Sequence, residues 1–260
     1  MKKLSVSFAI AQNTINEIFK HKTLNLVLIY LITSFIVLMW ITQLAPGAES
    51  RVIIDIGFAG LEILAFLTVL LGVSQLTYEE NELRTVWLVL VKPVKRSEFL
   101  IGKFLGVICI FIFNTVLMSA MLLLSCLFGA VLIDWNFLAV VYMILLEMLV
   151  LTSVCMFFSE ISTALTTSIA FSFFVFILGH ISYNLKTLAA NSETVLLKVL
   201  AYIFYYLIPN LEYFNLKDKL YTITNPVTFG FIVKVTLYSI IYSSFVLLIS
   251  NAVLNRKEFK

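Results

Sequence analysis

Two carboxylates interrupt long apolar runs of this 260-residue chain, Glu62 and Glu147. A charge at such a depth in a lipid-bound helix is costly and normally faces a bundle interior or a cavity. Each carboxyl has two readings. It contacts a substrate or a proton, or it is satisfied, ionised or as the acid, by a neighbouring helix. The second is the expected one. Asn114 joins them as an intramembrane polar site; with Thr115 and Ser119 it is expected to hydrogen-bond between helices. His180 falls near the end of another apolar run and reads as an interfacial histidine. An intramembrane enzyme needs polar groups converging at one depth, and Glu62 and Glu147 alone do not make such a site. The nucleotide-binding pattern GxxxxGK[ST] is absent, as are local metal-ligand spacings and any nucleophile–base framework. The expectation is therefore no catalytic residue, no metal site and no cofactor in this chain. Cys109, Cys126 and Cys155 are odd in number, lack CxxC spacing and lie in apolar runs, so they are expected as small buried hydrophobes.

The other informative stretch runs from Glu79 to Lys103. An acidic cluster with Glu80 and Glu82 precedes a short apolar helix candidate, Thr85 to Val91, which contains Trp87 and Leu88. Pro93 stops that helix, having no amide hydrogen to donate. Ser97 is expected to cap the next helix, with Glu98 in its first turn. Lys92, Lys95, Arg96 and Lys103 supply positive charge. A short helix with charged flanks, braced between two spans, is shaped to pass force from a soluble partner into the membrane. An ordinary polar loop with topogenic charge has the same composition.

The elements that must position these residues follow from solvent preference. Of all residues 61% are hydrophobic and 13% charged, with a mean hydropathy of +1.03. A soluble domain carries about 25% charged residues, so lipid is the expected solvent. About 20 apolar helical residues cross the hydrocarbon core, and six runs qualify: 24–44, 56–78, 99–131, 137–158, 163–181 and 229–254. The chain reads as one all-α transmembrane domain over 1–260, without a cleavable signal peptide. Residues 1–22 form an amphipathic interfacial helix with Leu4, Phe8, Ala11, Ile15 and Ile18 on its apolar stripe. Placing both termini in the cytoplasm puts twelve of the eighteen basic residues inside. Segment 79–98 is then cytoplasmic and 182–228 external. Within the latter, Val195 to Ile208 is too short to cross, carries Tyr202, Tyr205 and Tyr206, and is expected to be interfacial or re-entrant. The formal charge of +3 gives no reason to expect nucleic acid.

The run Glu80 to Gly106 resembles the cytoplasmic loop of ABC-2 type permeases, the membrane subunits of one class of ATP-binding-cassette transporter. The resemblance is carried by Glu82, Arg84-Thr85, Leu88 and Leu90, Lys92-Pro93, Arg96-Ser97-Glu98 and Gly102-Lys103. The N-terminal helix resembles that family's elbow helix, and Arg256-Lys257-Glu258-Phe259 its basic ending. Pro209-Asn210-Leu211 and Phe214-Asn215 resemble a segment in some members' last external connection. Trp87 and Val89 depart from the usual leucine-rich helix. The resemblance implies that Arg84 to Val91 is a coupling helix seated in a separate ATPase subunit. Glu80, Glu82, Arg84, Thr85, Trp87, Leu88, Lys92, Pro93, Arg96 and Glu98 would form or flank the contact. It also implies two ATPase copies holding ATP and Mg and a second permease copy or related chain; membrane lipids surround the spans, and the external segment 182–228 is where cargo or an accessory protein could engage. The implied function is export across a bacterial plasma membrane, with the chemistry in the partner. The alternative from another class is an ATP-independent secondary transporter or channel, for which broken helices and inverted repeats would speak.

Overall fold

A computed structural model describes residues 2–20, 29, 32–33, 36, 49–82, 96–128, 135–162, 164–182, 187, 194–216 and 228–256. Among them every regular element is helical. The helices are α1 (Lys2–Lys20), α2 (Glu49–Glu82), α3 (Arg96–Phe128), α4 (Trp135–Ile161), α5 (Leu165–His180), α6 (Val195–Leu207) and α7 (Phe229–Arg256). A 3-10 turn, Leu211–Phe214, follows α6. Four of the helices, α2, α3, α4 and α7, are long and apolar enough to cross a membrane. The expected span 24–44 lies outside the described residues except for four single positions. One of these, Thr33, donates to the Ile29 carbonyl at 2.8 Å.

α2 and α3 have 34 and 33 residues, which makes each about 50 Å long at 1.5 Å per residue. That exceeds the roughly 30 Å hydrocarbon core, so each carries polar residues beyond it. α4 is apolar all round and lies at the centre, packed by α2, α3, α5 and α7. Its Met143, Met148, Leu151 and Cys155 are enclosed with Phe58, Leu61 and Phe66 of α2 and Met118 and Leu122 of α3. α7 contacts the bundle through one stripe, Val235, Ser239, Ser243, Val246, Ser250 and Leu254. Small residues at three- and four-residue steps let backbones approach closely. Its other side leaves Leu237, Ile241, Phe245 and Leu248 exposed, as a lipid-facing surface would. α5 has 16 residues, fewer than a full crossing needs, and α6 has 13 with none buried.

Three expectations differ from the structure. α1 does form, with Gln12, Asn13 and Asn16 exposed as expected. Yet Phe8 of its apolar stripe is 71% exposed, while Ala11 and Thr14 are buried. The cause is the surface it meets. Gly102 and Gly106 of α3 open a groove that admits the small face of α1, and Ser7 donates to the Glu98 carbonyl at 3.3 Å. α3 begins at Arg96, so Ser97 sits in its first turn and not at the cap, although Glu98 is in the first turn as read. The three cysteines are free, but Cys109 is exposed; only Cys126 and Cys155 are buried.

The groove makes a direct prediction. A Cβ on Gly106 would stand 2.7 Å from Thr14 Cβ and 2.8 Å from the Ala11 carbonyl oxygen. Gly106→Val is expected to displace α1 and cost about 1–3 kcal/mol, measured as earlier thermal unfolding in detergent. Gly230→Val, which meets nothing within 4 Å, is the control that leaves unfolding unchanged.

Candidate functional site

α2 and α5 run antiparallel in a fixed register. Glu62 meets His180, Phe66 stacks on Phe176 and Ser74 meets Ser168. The contacts advance four and then eight residues along α2 while retreating by the same steps along α5. The Phe66–Phe176 rings lie 3.9 Å apart at 9°, one turn from Glu62 and one turn from His180. This stack and the enclosed apolar face of α4 set the distance between the polar pair.

At the first step three titratable groups from three helices converge. His180 Nε2 lies 2.9 Å from Glu62 Oε1 and 3.4 Å from Glu147 Oε1. Glu147 is 2% exposed, Glu62 is buried, and the His180 side chain keeps 25% of its surface open. The imidazole is held from its far side, where Nδ1 donates to the Phe176 carbonyl at 3.1 Å; a carbonyl can only accept. Nε2 therefore presents either a second proton or a lone pair to the two carboxylates. The arrangement can trap a proton or hold a cation. Sequence spacing shows none of this, because 118 residues separate His180 from Glu62. Depth was the available signal: the six-span reading puts Glu62 and His180 in the same outer part of neighbouring helices. To the reading of His180 as an interfacial histidine the structure adds its two carboxylate neighbours.

The connection after α6 closes over this end. Pro209 and Leu211 are buried, Leu211 directly against Gly179. The Asn210 side-chain Oδ1 accepts from the Ser182 hydroxyl at 2.8 Å and from the Glu212 backbone amide at 3.2 Å, while the Asn210 backbone N–H donates to the Tyr238 hydroxyl at 2.9 Å. Ser182, two residues after His180, and Tyr238 of α7 are thus tied to one turn.

Further along, Ser168 bridges Ser74 and Ser159 at 3.2 and 2.7 Å, joining α2, α5 and α4. At the opposite end Lys103 is 0% exposed. Its ammonium donates to Thr77 Oγ1 at 2.8 Å and to Glu80 Oε2 at 2.5 Å. Lys103 reads from sequence as topogenic surface charge; the structure makes it an internal clamp between α2 and α3. Beside it, Arg96 donates to the Leu254 carbonyl in the last turn of α7, where unpaired carbonyls and the helix dipole favour a cation.

Of the expected contact residues, Glu80 is this clamp's acceptor, Arg96 ties α3 to α7, and the Glu98 carbonyl receives Ser7. Glu82 is the last residue of α2. Arg84, Thr85, Trp87, Leu88, Lys92 and Pro93 lie outside the described residues. Asn114 is not part of the Glu62 cluster; it lines a small separate cavity with Thr68, Val107 and Phe111. Among the described residues no interhelical hydrogen bond is shown for the third run's Asn114, Thr115 or Ser119. Asn114 Oδ1 and Thr115 Oγ1 are buried without a hydrogen-bond partner among the described residues, and Ser119 donates to the Val116 carbonyl of its own helix. No family model matches the chain, and a search of curated proteins finds no match.

Removing one member of a buried pair strands the other charge, at about 3–5 kcal/mol. Lys103→Met is expected to lower unfolding stability by that order. The double variant Lys103→Met/Glu80→Leu should recover part of the loss, because neither partner of the pair is then left without the other, while Glu160 stays buried nearby. Thermal unfolding of the four proteins of this cycle measures the coupling.

Proposed function

We propose that this chain is the membrane subunit of an ABC-2 type transporter, working as an exporter powered by a separate ATPase. The observation that carries the reading is the gathering of α1, the end of α2, the start of α3 and the end of α7 at one end of the bundle. The Lys103–Glu80, Arg96–Leu254 and Ser7–Glu98 contacts hold them there. The segment 83–95 joins the two elements clamped by Lys103. A push on that segment would reach α2 and α3 together, and through Arg96 it would reach α7. This is the mechanical requirement of a coupling element.

In this reading the chain makes six crossings, with 24–44 and α5 completing the four long helices. α1 lies at the cytoplasmic interface with Phe8 toward lipid, and α6 lies in the outer interface. Both termini and the 83–95 segment face the cytoplasm of a bacterial cell. Two permease chains pair in the membrane, and two ATPase subunits bind ATP and Mg beneath them. The chain has no hydrolytic role of its own. The exposed apolar side of α7 supports a surface for lipid or for the second permease chain.

One observation favours a second reading, an ATP-independent secondary transporter: ionisable residues inside a bundle mark proton and ion pathways, and Glu62, Glu147 and His180 form such a group. Co-purification separates the two. The exporter reading expects an ATPase to be retained on the tagged chain and stimulated by it. Arg84→Asp combined with Leu88→Asp should abolish both effects while membrane insertion persists. An ATPase that binds and responds equally to the variant would refute the coupling assignment, and transport without any ATPase would establish the second reading.

A further inference from the structure

The Glu62, Glu147 and His180 cluster has the composition and geometry of a metal-ligand set, independently of what drives the transporter. One ligand atom from each residue can be chosen so that all three lie within 4.8 Å of one another. An ion bonded at about 2.1 Å to nitrogen and carboxylate oxygen holds its ligands roughly 3.4 Å apart in a tetrahedral site. The two histidine–carboxylate separations, 2.9 and 3.4 Å, are already close to that value. The remaining adjustment falls on two glutamate side chains with three rotatable bonds each.

The orientation of the imidazole is the more telling feature. Histidines that bind metals almost always donate their other ring hydrogen to a carbonyl or carboxylate, which fixes the tautomer and aims the lone pair. Here Nδ1 donates to the Phe176 carbonyl, and Nε2 faces both carboxylates. Imidazole with carboxylate suits zinc and its first-row neighbours, while calcium and magnesium prefer all-oxygen sites. Three protein ligands leave a fourth position open, and the partly exposed edge of His180 gives a path to it.

We infer that Glu62, Glu147 and His180 bind one divalent first-row transition-metal ion, which cross-links α2, α4 and α5 at the end of the bundle closed by Pro209–Phe214. The probe is zinc alone. The full chain, purified in detergent and stripped with chelator, is dialysed against zinc, and bound metal is measured by mass spectrometry. The expected result is one zinc per chain and a higher unfolding temperature on loading. Loss of an outer-shell partner weakens metal sites by about 10–100-fold, so Glu147→Gln and His180→Gln, each removing a ligand, should weaken binding by at least about 100-fold. A variant with Cys109, Cys126 and Cys155 replaced by serine should bind as the wild type does.

Should the ligand variants fold poorly, cobalt loading of the wild type keeps the test decisive. A four- or five-coordinate ligand-field spectrum without a thiolate charge-transfer band supports the site. No zinc retained, zinc equally retained by Glu147→Gln and His180→Gln, or binding lost with the cysteines would each overturn it. The first of these outcomes would leave the cluster as a proton-holding ion pair.

Discussion

A lysine with no solvent around it must find its counter-charge inside the protein, and Lys103 meets that demand with Glu80 and Thr77. Everything at this end of the bundle takes its position from the match. The pair sets the relative height of α2 and α3, and so decides where the chain between them leaves the bundle. α1 can then lie along α3 because Gly102 and Gly106 flank the clamped lysine. Arg96, about two turns before it, reaches the Leu254 carbonyl in the last turn of α7. Such a pair adds little net stability over an apolar replacement. What it adds is a single allowed register, since sliding either helix by a turn would leave an ammonium or a carboxylate stranded.

The same constraint recurs along the bundle in milder form. Where no water is available, side-chain polar groups pair across helices or turn back on their own backbone. The Ser74–Ser168–Ser159 chain does the first, and Thr68, Thr77 and Thr152 do the second. Between these points the contact is aromatic and apolar, as at Phe66 and Phe176. The Glu62–Glu147–His180 group closes the series at the far end. The polar contacts thus run along α2, from the Lys103–Glu80 clamp with α3 at one end, through the Ser74–Ser168–Ser159 bridge, to the Glu62–Glu147–His180 group at the other. Motion of one end relative to the other would pass through helices whose register is held at several heights, as rigid-body coupling requires.

Much of this architecture was legible in the sequence because apolar length is a local property. The runs 56–78, 137–158 and 229–254 lie inside α2, α4 and α7, and each helix continues past its run because a helix does not end where the hydrocarbon does. That Val195 to Ile208 differs from the spans was legible for the same reason: it is short, carries Lys198 among apolar residues and is followed by proline, and its helix buries no residue. What could not be read depends on partners distant in the chain. Phe8 looks like the residue α1 should bury, but the side of α1 set against Gly102 and Gly106 is the one carrying Ser7, Ile10, Ala11 and Thr14. Lys103 looks like surface charge until Thr77 and Glu80 close over it. His180 acquires its role only when the fold brings Glu62 and Glu147 beside it.

The central claim is that this line of contacts spans a membrane, with the Lys103 end and the His180 end on opposite faces. Impermeant maleimide labelling of single cysteines in a cysteine-free background tests it most directly. Asn255 and Asn215, exposed at the two ends, are the positions to compare in intact cells and in inverted vesicles. The account predicts that Asn215→Cys labels only in intact cells and Asn255→Cys only in inverted vesicles. Labelling of both positions from the same face would contradict it.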